Sequence, residues 1–160
     1  MWHQLAYFPS PPYPAGQGLP QGHIAYRPVV SIHLVAGQNR LNCLSIIDSG
    51  ADHCVFPLSF ALQLGFNPVG EIPVMTGGVG STGVPMYYWK ITIDLGPTQT
   101  EVLVGFTEDM NSKGCGLLGQ HGFFDHFKVQ FDLPNRLFWI ETPDPPQINL
   151  PPDPAPSTNI

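Results

Sequence analysis

The sequence predicts an all-β domain whose strands close into a barrel-like sheet. Apolar and polar residues alternate in several short runs, and a repeat of two residues is typical of a strand with one face in a core. Gly, Asn and Asp, which are common turn residues, separate these runs. Apolar residues make up 42% of the chain and charged residues only 11%, so its middle part should fold rather than remain a solvated coil.

The first predicted strands form a hairpin. Residues 29–35 and 41–47 alternate, and turn-forming residues lie between them at positions 37–40. A second, wider hairpin follows. It runs from residues 71–75 through a glycine-dense segment to a longer strand at residues 86–95.

The strand at residues 86–95 is predicted to have one wet face. Its apolar face carries Tyr87, Trp89, Ile91 and Ile93, and its wet face carries Lys90, Thr92 and Asp94. Residues 101–106 form a further strand, and residues 128–140 form a hairpin. Helical pattern is scarce, since only residues 57–64, with about two turns, and residues 122–127, with about one, permit a helix.

Proline-rich segments flank the predicted domain at residues 23–142. They are residues 1–22 and residues 143–160, and both compositions favour extended or disordered chain, with a disordered tail at the C-terminal end. Such segments serve as flexible termini or dock partners that recognise a polyproline helix. The aromatic residues near the start suggest packing on the domain or on a second subunit. These residues are Trp2, Tyr7 and Phe8.

Charge and cysteine content exclude several function classes. The net charge is −6 and the 6 Lys and Arg residues lie apart, so no basic stripe is available for phosphates and we expect no nucleic-acid partner. No secretory signal or transmembrane run is evident, so we expect no membrane contact. Cys43, Cys54 and Cys115 form no C-x-x-C pair, which favours a reduced, cytoplasmic setting with buried thiols over a redox switch.

One carboxylate stands at a strand-to-loop corner, where Asp48 follows the alternating run 41–47 and precedes Ser49 and Gly50. Asp, Ser and Gly are ordinary turn residues, so a plain turn is the simplest interpretation. Hydrolysis of a peptide bond by carboxylates requires two of them to share one proton around a water molecule. A chain with a single such corner must obtain the second carboxylate from a copy of itself, which predicts a homodimeric aspartic peptidase.

The residues around this corner support that hypothesis. The strand at residues 27–34 and the segment 44–52 together resemble the N-terminal half of the retropepsins, the single-domain aspartic proteases of retroviruses and their cellular and bacterial relatives. The glycine-dense residues 77–83 stand where that family has its flap. Residues 116–119, Gly-Leu-Leu-Gly, are similar to the family's hydrophobic-hydrophobic-glycine element. The resemblance covers roughly residues 27–140 and implies a closed β-barrel with a flap hairpin and one short C-terminal helix.

The same resemblance implies roles for individual residues. Asp48 corresponds to the catalytic aspartate, Ser49 to the hydroxyl that braces the two active-site loops against each other, and Gly50 to the residue that lets the loop pass close to its symmetry mate. It also implies substrate contacts and no cofactor or metal. The implied substrate-binding residues are Ala51, Asp52, Val55, Gly78, Val79, Gly80, Val84 and Leu117.

The chain departs from the retroviral pattern after the later motif. Many retroviral members have an arginine there, paired with the aspartate that corresponds to Asp52, whereas this chain has Gln120 and His121. We therefore expect the contacts that stabilise a dimer interface in this protein to differ from those of the retroviral members. The chemistry that the resemblance implies is water attack on a peptide carbonyl, with one Asp48 as base and its protonated mate as hydrogen-bond donor.

Other chemistries fit the sequence less well. Gly78, Gly80 and Gly83 match a dinucleotide-binding fingerprint, but a strand follows where a helix N-terminus is required. No histidine pair has the spacing of a structural zinc motif, and Ser49 lacks the setting of a serine nucleophile. Two hypotheses remain: an endopeptidase that binds an extended polypeptide, and a catalytically inactive dimerisation or peptide-binding module with the same fold.

Overall fold

The computed structural model describes residues 1–12, 22–77, 83–96 and 98–142. The strands are β1 (Trp2–Ala6), β2 (Phe8–Pro9), β3 (Tyr26–Arg27), β4 (Val29–Ala36), β5 (Asn39–Ile47), β6 (Val55–Pro57), β7 (Val74–Thr76), β8 (Val84–Asp94), β9 (Gln99–Thr107), β10 (Gly116–Leu118), β11 (Lys128–Asp132) and β12 (Leu137–Glu141). The helices are α1 (Leu58–Gln63) and a short 3₁₀ helix (Glu108–Met110). The predicted C-terminal tail, residues 143–160, lies outside the described residues.

Most strands belong to one sheet that closes on itself. The strand order is β4-β5-β10-β6-β9-β8-β7, and β4 also pairs with β8. The path from β4 through β5, β10, β6, β9 and β8 therefore returns to β4, as the predicted closed barrel requires. The closing register joins His33 to Asp94 and Val35 to Thr92.

Local sequence explains the two hairpins of the barrel. The alternating residues of β4 and β5 pair from Val29↔Ile46 to Ala36↔Asn39, around a turn in which Gly37 has a φ of 58°. Glycine adopts this conformation without the steric cost that a side chain would add. Strands β7 and β8 pair through Thr76↔Val84. Both hairpins lie where the sequence predicts them.

The barrel and the strand β12 beside it share one dense apolar core. Its largest fully buried side chains include Ile32, Leu34, Phe56, Ile93, Val104, Phe106, Leu118, Phe123 and Phe138. Trp89 stacks on Phe66 with ring centroids 5.0 Å apart and lies 5.7 Å from Phe106, so aromatic packing joins α1's C-terminal loop to the barrel wall. None of the helices in the described part of the chain has the length and apolar character that a membrane span requires.

A second, three-stranded sheet packs beside the barrel in the order β1-β12-β11. Residues 2–6, within the predicted proline-rich segment, thus form a strand that pairs along β12, with Trp2 opposite Glu141. The ring of Tyr7 meets Phe138 edge-on at 5.5 Å. The first residues are therefore attached to the domain itself.

Residues 122–126 form hydrogen-bonded turns in place of the predicted short C-terminal helix. The N–H groups of Phe124 and Asp125 donate to the carbonyls of Gly119 and Gln120, five residues back, rather than four. Gly122 has a φ of 100°, outside the helical region. The other predicted helix is present as α1, which begins directly after Pro57.

Asp94 corrects the predicted wet face of β8, because its side chain is buried and not solvated. It forms an ion pair with Arg40 at 2.9 Å and accepts hydrogen bonds from the Gly96 N–H at 2.7 Å and the Gln99 amide at 3.1 Å. Burial by itself raises the pKa of Asp94, but these hydrogen bonds and the Arg40 charge outweigh it, so the pKa lies below its ordinary value.

The variant Asp94→Asn should lower the free energy of unfolding at pH 7 by about 2 kcal/mol, since charge-assisted hydrogen bonds are lost. A depressed carboxyl pKa stabilises the fold above the ordinary value of 3.8 and ceases to do so as pH falls through the folded-state pKa. The difference in free energy of unfolding between Asp94→Asn and the natural protein should therefore shrink below about pH 4. Urea unfolding across this pH range measures it. The matched control is Glu101→Gln, which breaks an exposed pair with Lys90; an equal effect of the two changes at pH 7 contradicts the prediction.

All three cysteines are free thiols, and they differ in burial. Burial raises the pKa of the Cys43 thiol to about 11 and that of Cys54 to about 12, whereas Cys115 is half-exposed. We expect iodoacetamide at pH 8 to modify Cys115 in the native protein and the two buried thiols only after unfolding, because the thiolate is the reactive form. Peptide mass spectrometry reads this out. Modification of Cys54 at the rate of Cys115 is incompatible with the described packing.

Candidate active site

Asp48 stands at the end of β5, where the sheet topology brings two distant loops together. Strand β10 lies between β5 and β6, parallel to the first and antiparallel to the second. The loop that connects β5 to β6 must therefore cross over the end of β10. The Asp48 N–H donates to the carbonyl of Leu118 at 3.0 Å and fixes the start of this crossing.

A tight turn orients the Asp48 carboxylate. The Gly50 N–H donates to Asp48 Oδ1 at 3.0 Å, and the Ala51 N–H donates to the Asp48 carbonyl at 3.2 Å. This is the local hydrogen-bonding habit of aspartate in turns. The Asp48 side chain is half-exposed and Ser49 is exposed. A Cβ at Gly50 would lie 3.3 Å from Asp48 Oδ1, so glycine leaves room for the carboxylate.

Backbone hydrogen bonds join this loop to the segment after β10. The N–H groups of Gln120 and His121 donate to the carbonyls of Ala51 at 2.8 Å and Asp52 at 2.9 Å. Gly119 lies at the tightest point, because a Cβ there would stand 2.6 Å from the Ala51 carbonyl oxygen and closer still to that of His53. The two loops therefore form one rigid platform under Asp48.

Gln120 occupies the position at which the retroviral pattern has arginine. Its side-chain amide donates to the Ser49 carbonyl at 3.0 Å. The amide thus braces the Asp48 turn within one chain. Asp52, the predicted partner of the missing arginine, is exposed.

A cleft of about 470 Å³ opens on one side of this platform. It contains the predicted residues Gly50, Ala51, Asp52 and Val55, and Gly77 at the start of the predicted flap. It also contains His53, Thr76 and Met86, which the sequence interpretation missed. Thr76 and Met86 come from the hairpin β7–β8, so this hairpin forms the opposite wall of the cleft. Thr76 and Met86 can be assigned to the cleft only from the register of β7 and β8, in which Val74 pairs with Met86. No local sequence pattern reveals this register.

The remaining predicted substrate-binding residues lie elsewhere. Leu117 faces a separate groove of about 890 Å³, and Val84 pairs with Thr76 without lining the cleft. Gly78, Val79 and Gly80 fall outside the described residues, as does the tip of the predicted flap.

A cluster of polar rings lies beside the cleft. The rings of His53 and His121 are 5.2 Å apart, and His53 meets Tyr88 edge-on at 5.6 Å. A hydrogen bond with the His121 ring, 3.3 Å away, is the main reason that the pKa of Asp125 lies below its ordinary value. The described residues contain no group of three or more His, Cys, Asp or Glu side chains that could hold a metal ion.

Comparison with known proteins gives a likeness in structure alone. No protein-family model and no curated protein matches the chain significantly. A retropepsin-like aspartic protease from Rickettsia conorii superposes with a TM-score of 0.54 at 12% identity, covering 89% of this chain and 92% of that one. EIAV protease in complex with an inhibitor gives a TM-score of 0.46 at 19% identity, covering 59% of this chain and 82% of that one. The superposition on the Rickettsia conorii protein shows that the chain has a retropepsin-like fold.

Proposed function

We propose that this protein is a homodimeric aspartic endopeptidase in which two Asp48 carboxylates, one from each subunit, activate a water molecule. The observation that carries the proposal is the corner itself. A half-exposed aspartate stands on a platform of two hydrogen-bonded loops in a retropepsin-like fold. Its neighbours in the chain line the two depressions, Gly50 and Ala51 the cleft and Ile46 the groove. The sequence contains one Asp-Ser-Gly corner, so a second chain must supply the second carboxylate.

The proposed reaction follows from two carboxylates that share one proton. The charged Asp48 takes a proton from the bound water as the water oxygen attacks the peptide carbonyl, while the protonated mate donates a hydrogen bond to the carbonyl oxygen. The carbon–nitrogen bond of the tetrahedral intermediate then breaks, and the departing amine takes up a proton. No covalent bond to the protein forms, and neither a cofactor nor a metal takes part.

The cleft and the hairpin β7–β8 support an extended polypeptide as the substrate. We assign substrate contacts to Gly50, Ala51, Asp52 and Val55 on the platform side. On the hairpin side we assign them to Thr76, Gly77 and Met86, which line the cleft. We also assign them to residues 78–80 and Val84 of the proposed flap, which would reach a substrate beyond that lining. An extended chain between these walls can form main-chain hydrogen bonds and place alternate side chains in pockets.

We also propose that residues 23–142 form the protease domain, with proline-rich segments on either side. Strand β1 packs on this domain, which makes residues 2–6 part of the same folded unit. The free thiols of Cys43, Cys54 and Cys115 support a reducing, cytoplasmic setting.

Cleavage of a denatured protein substrate tests the proposal. Between about pH 4 and pH 7, the full chain should release peptides, and a pepstatin-type inhibitor should stop the release, with a bell-shaped pH profile because one proton must be shared. Sedimentation should show a dimer under the same conditions. Peptide binding without cleavage at any pH would instead support an inactive peptide-binding module.

A further inference from the structure

The residues after β1 form an arm, defined here as residues 7–12, that is attached to the segment before β4 and to the turn between β11 and β12. The Tyr7 N–H donates to the Arg136 carbonyl at 2.9 Å, and β2 pairs with β3 through Phe8↔Arg27. Ser10 then donates its N–H to the Ala25 carbonyl at 2.7 Å, and its hydroxyl accepts the Ala25 N–H at 3.1 Å. The arm is therefore in a defined position.

The arm forms one wall of the groove of about 890 Å³. Phe8 and the prolines Pro9, Pro11 and Pro12 lie on the arm side, and the barrel side includes Leu44, Ile46 and Leu117. The volume is within the range of pockets that hold drug-sized ligands. Phe8 is 59% exposed and Leu44 is 49% exposed, so both walls present apolar surface that a bound side chain would cover.

The floor of this groove lies partly on β5, the strand that ends one residue before Asp48. Leu44, Ile46 and Asp48 are alternate positions along β5 and its end, and alternate side chains of a strand point to the same face. Leu117, on the neighbouring strand β10, is in register with Ile46. A chain segment that passes Asp48 can therefore place a side chain between this floor and the arm.

The charged side chains in the described lining of the groove have one sign. Arg27 and Lys113 contribute to its lining, and the described lining contains no Asp or Glu, although the whole chain has a net charge of −6. Among the described residues, neither cation forms an ion pair. An acidic group on the ligand would find two partners here, and a basic group would be repelled.

We infer that the arm is a specificity element: it forms the outer wall of a subsite for polypeptide segments in which a large apolar side chain stands next to an acidic one. Phe8 packs against the apolar side chain from outside, and Lys113 and Arg27 attract the neighbouring carboxylate. The inference rests on the proposed function for the identity of the ligand as a polypeptide.

Binding to the full-length Asp48→Asn variant tests the inference without requiring turnover. The probes are three fluorescein-labelled ten-residue peptides of otherwise identical sequence, containing Phe-Glu, Ala-Glu or Phe-Lys at the centre. Fluorescence anisotropy should rank the Phe-Glu peptide first. Adding Phe8→Ala should weaken its binding by about tenfold and leave the Ala-Glu peptide within about twofold, because the lost contact is aromatic.

Two further variants separate the contributions. Lys113→Glu should reverse the preference between the Phe-Glu and Phe-Lys peptides. Phe131→Ala is the matched control, because this phenylalanine is 43% exposed on β11, away from the groove lining, and its loss should leave all three affinities unchanged. Thermal melts check that each variant remains folded.

The outcomes distinguish this inference from the proposed function. Equal affinities with and without Phe8, tighter binding after Phe8→Ala, or no binding of any peptide would each overturn the role of the arm. If the peptides bind with the expected ranking but the natural protein cleaves none of them, the subsite stands as a peptide-binding site and the endopeptidase activity is wrong.

Discussion

Asp48→Asn is expected to lower kcat/KM for polypeptide cleavage by about 10³-fold or more, the scale of lost general acid-base catalysis. Asparagine keeps the shape of the side chain and can still accept the Gly50 N–H hydrogen bond that orients Asp48. It cannot take a proton from water, and a dimer of such chains has no carboxylate at either corner. The measurement is the initial rate of peptide release at the pH optimum of the natural protein.

Asp109→Asn is the matched control for this change. Asp109 is an exposed aspartate in the 3₁₀ helix and lines neither the cleft nor the groove, so its replacement should leave the rate unchanged. Both variants should melt at the temperature of the natural protein, since neither carboxylate is buried in the core. Full turnover by Asp48→Asn would end the proposed mechanism.

Gly119→Ala is expected to have the largest effect on stability, about 3 kcal/mol or a complete loss of folding. The added methyl group would collide with the carbonyl groups of Ala51 and His53, which are backbone atoms. The Ala51 carbonyl accepts the Gln120 N–H, and His53 lies between Asp52 and Cys54, which are both hydrogen-bonded to His121, so neither carbonyl can move without straining these hydrogen bonds. Urea unfolding followed by circular dichroism measures the loss.

A second glycine-to-alanine change shows whether the collision is the cause. Among the described residues, no atom outside its chain neighbours lies within 4 Å of a Cβ added at Gly77, and the φ of Gly77 is not positive, so Gly77→Ala should leave the urea midpoint within experimental error of the natural value. If Gly119→Ala also leaves the midpoint unchanged, the two loops do not approach each other as described. Where Gly119→Ala folds, we expect activity to fall as well, because the collision lies in the platform under Asp48.

Local sequence patterns determined the main hairpin of this protein and the position of the Asp48 corner. The alternation in residues 29–47 predicts the hairpin β4–β5, because a strand with one buried face repeats every two residues and a glycine turn sets its register. The corner at Asp48 is predictable for the same reason, since it follows the last alternating residue and is built from turn residues. Its resemblance to the retropepsins predicted the closed barrel.

Tertiary structure alone decided which residues surround the corner. His53, Thr76 and Met86 share one cleft because the register of β7 and β8 brings the hairpin over the platform. Asp94 looks like a solvated strand residue in sequence, but Arg40 and Gln99 enclose it from other strands. Such contacts depend on which strands are neighbours in the sheet. The alternation of apolar and polar residues within one strand does not show which strands these are.

The same reason explains the C-terminal turns and the groove. Residues 122–127 have the composition of a short helix, but Gly122 adopts a positive φ and the chain closes i→i−5 hydrogen bonds onto Gly119 and Gln120. Phe8 lies on the wall of the groove opposite Leu117, more than one hundred positions away in the chain. Sequence by itself thus determined most of the strands and the corner at Asp48, whereas the cleft and the groove arise only where distant segments pack together.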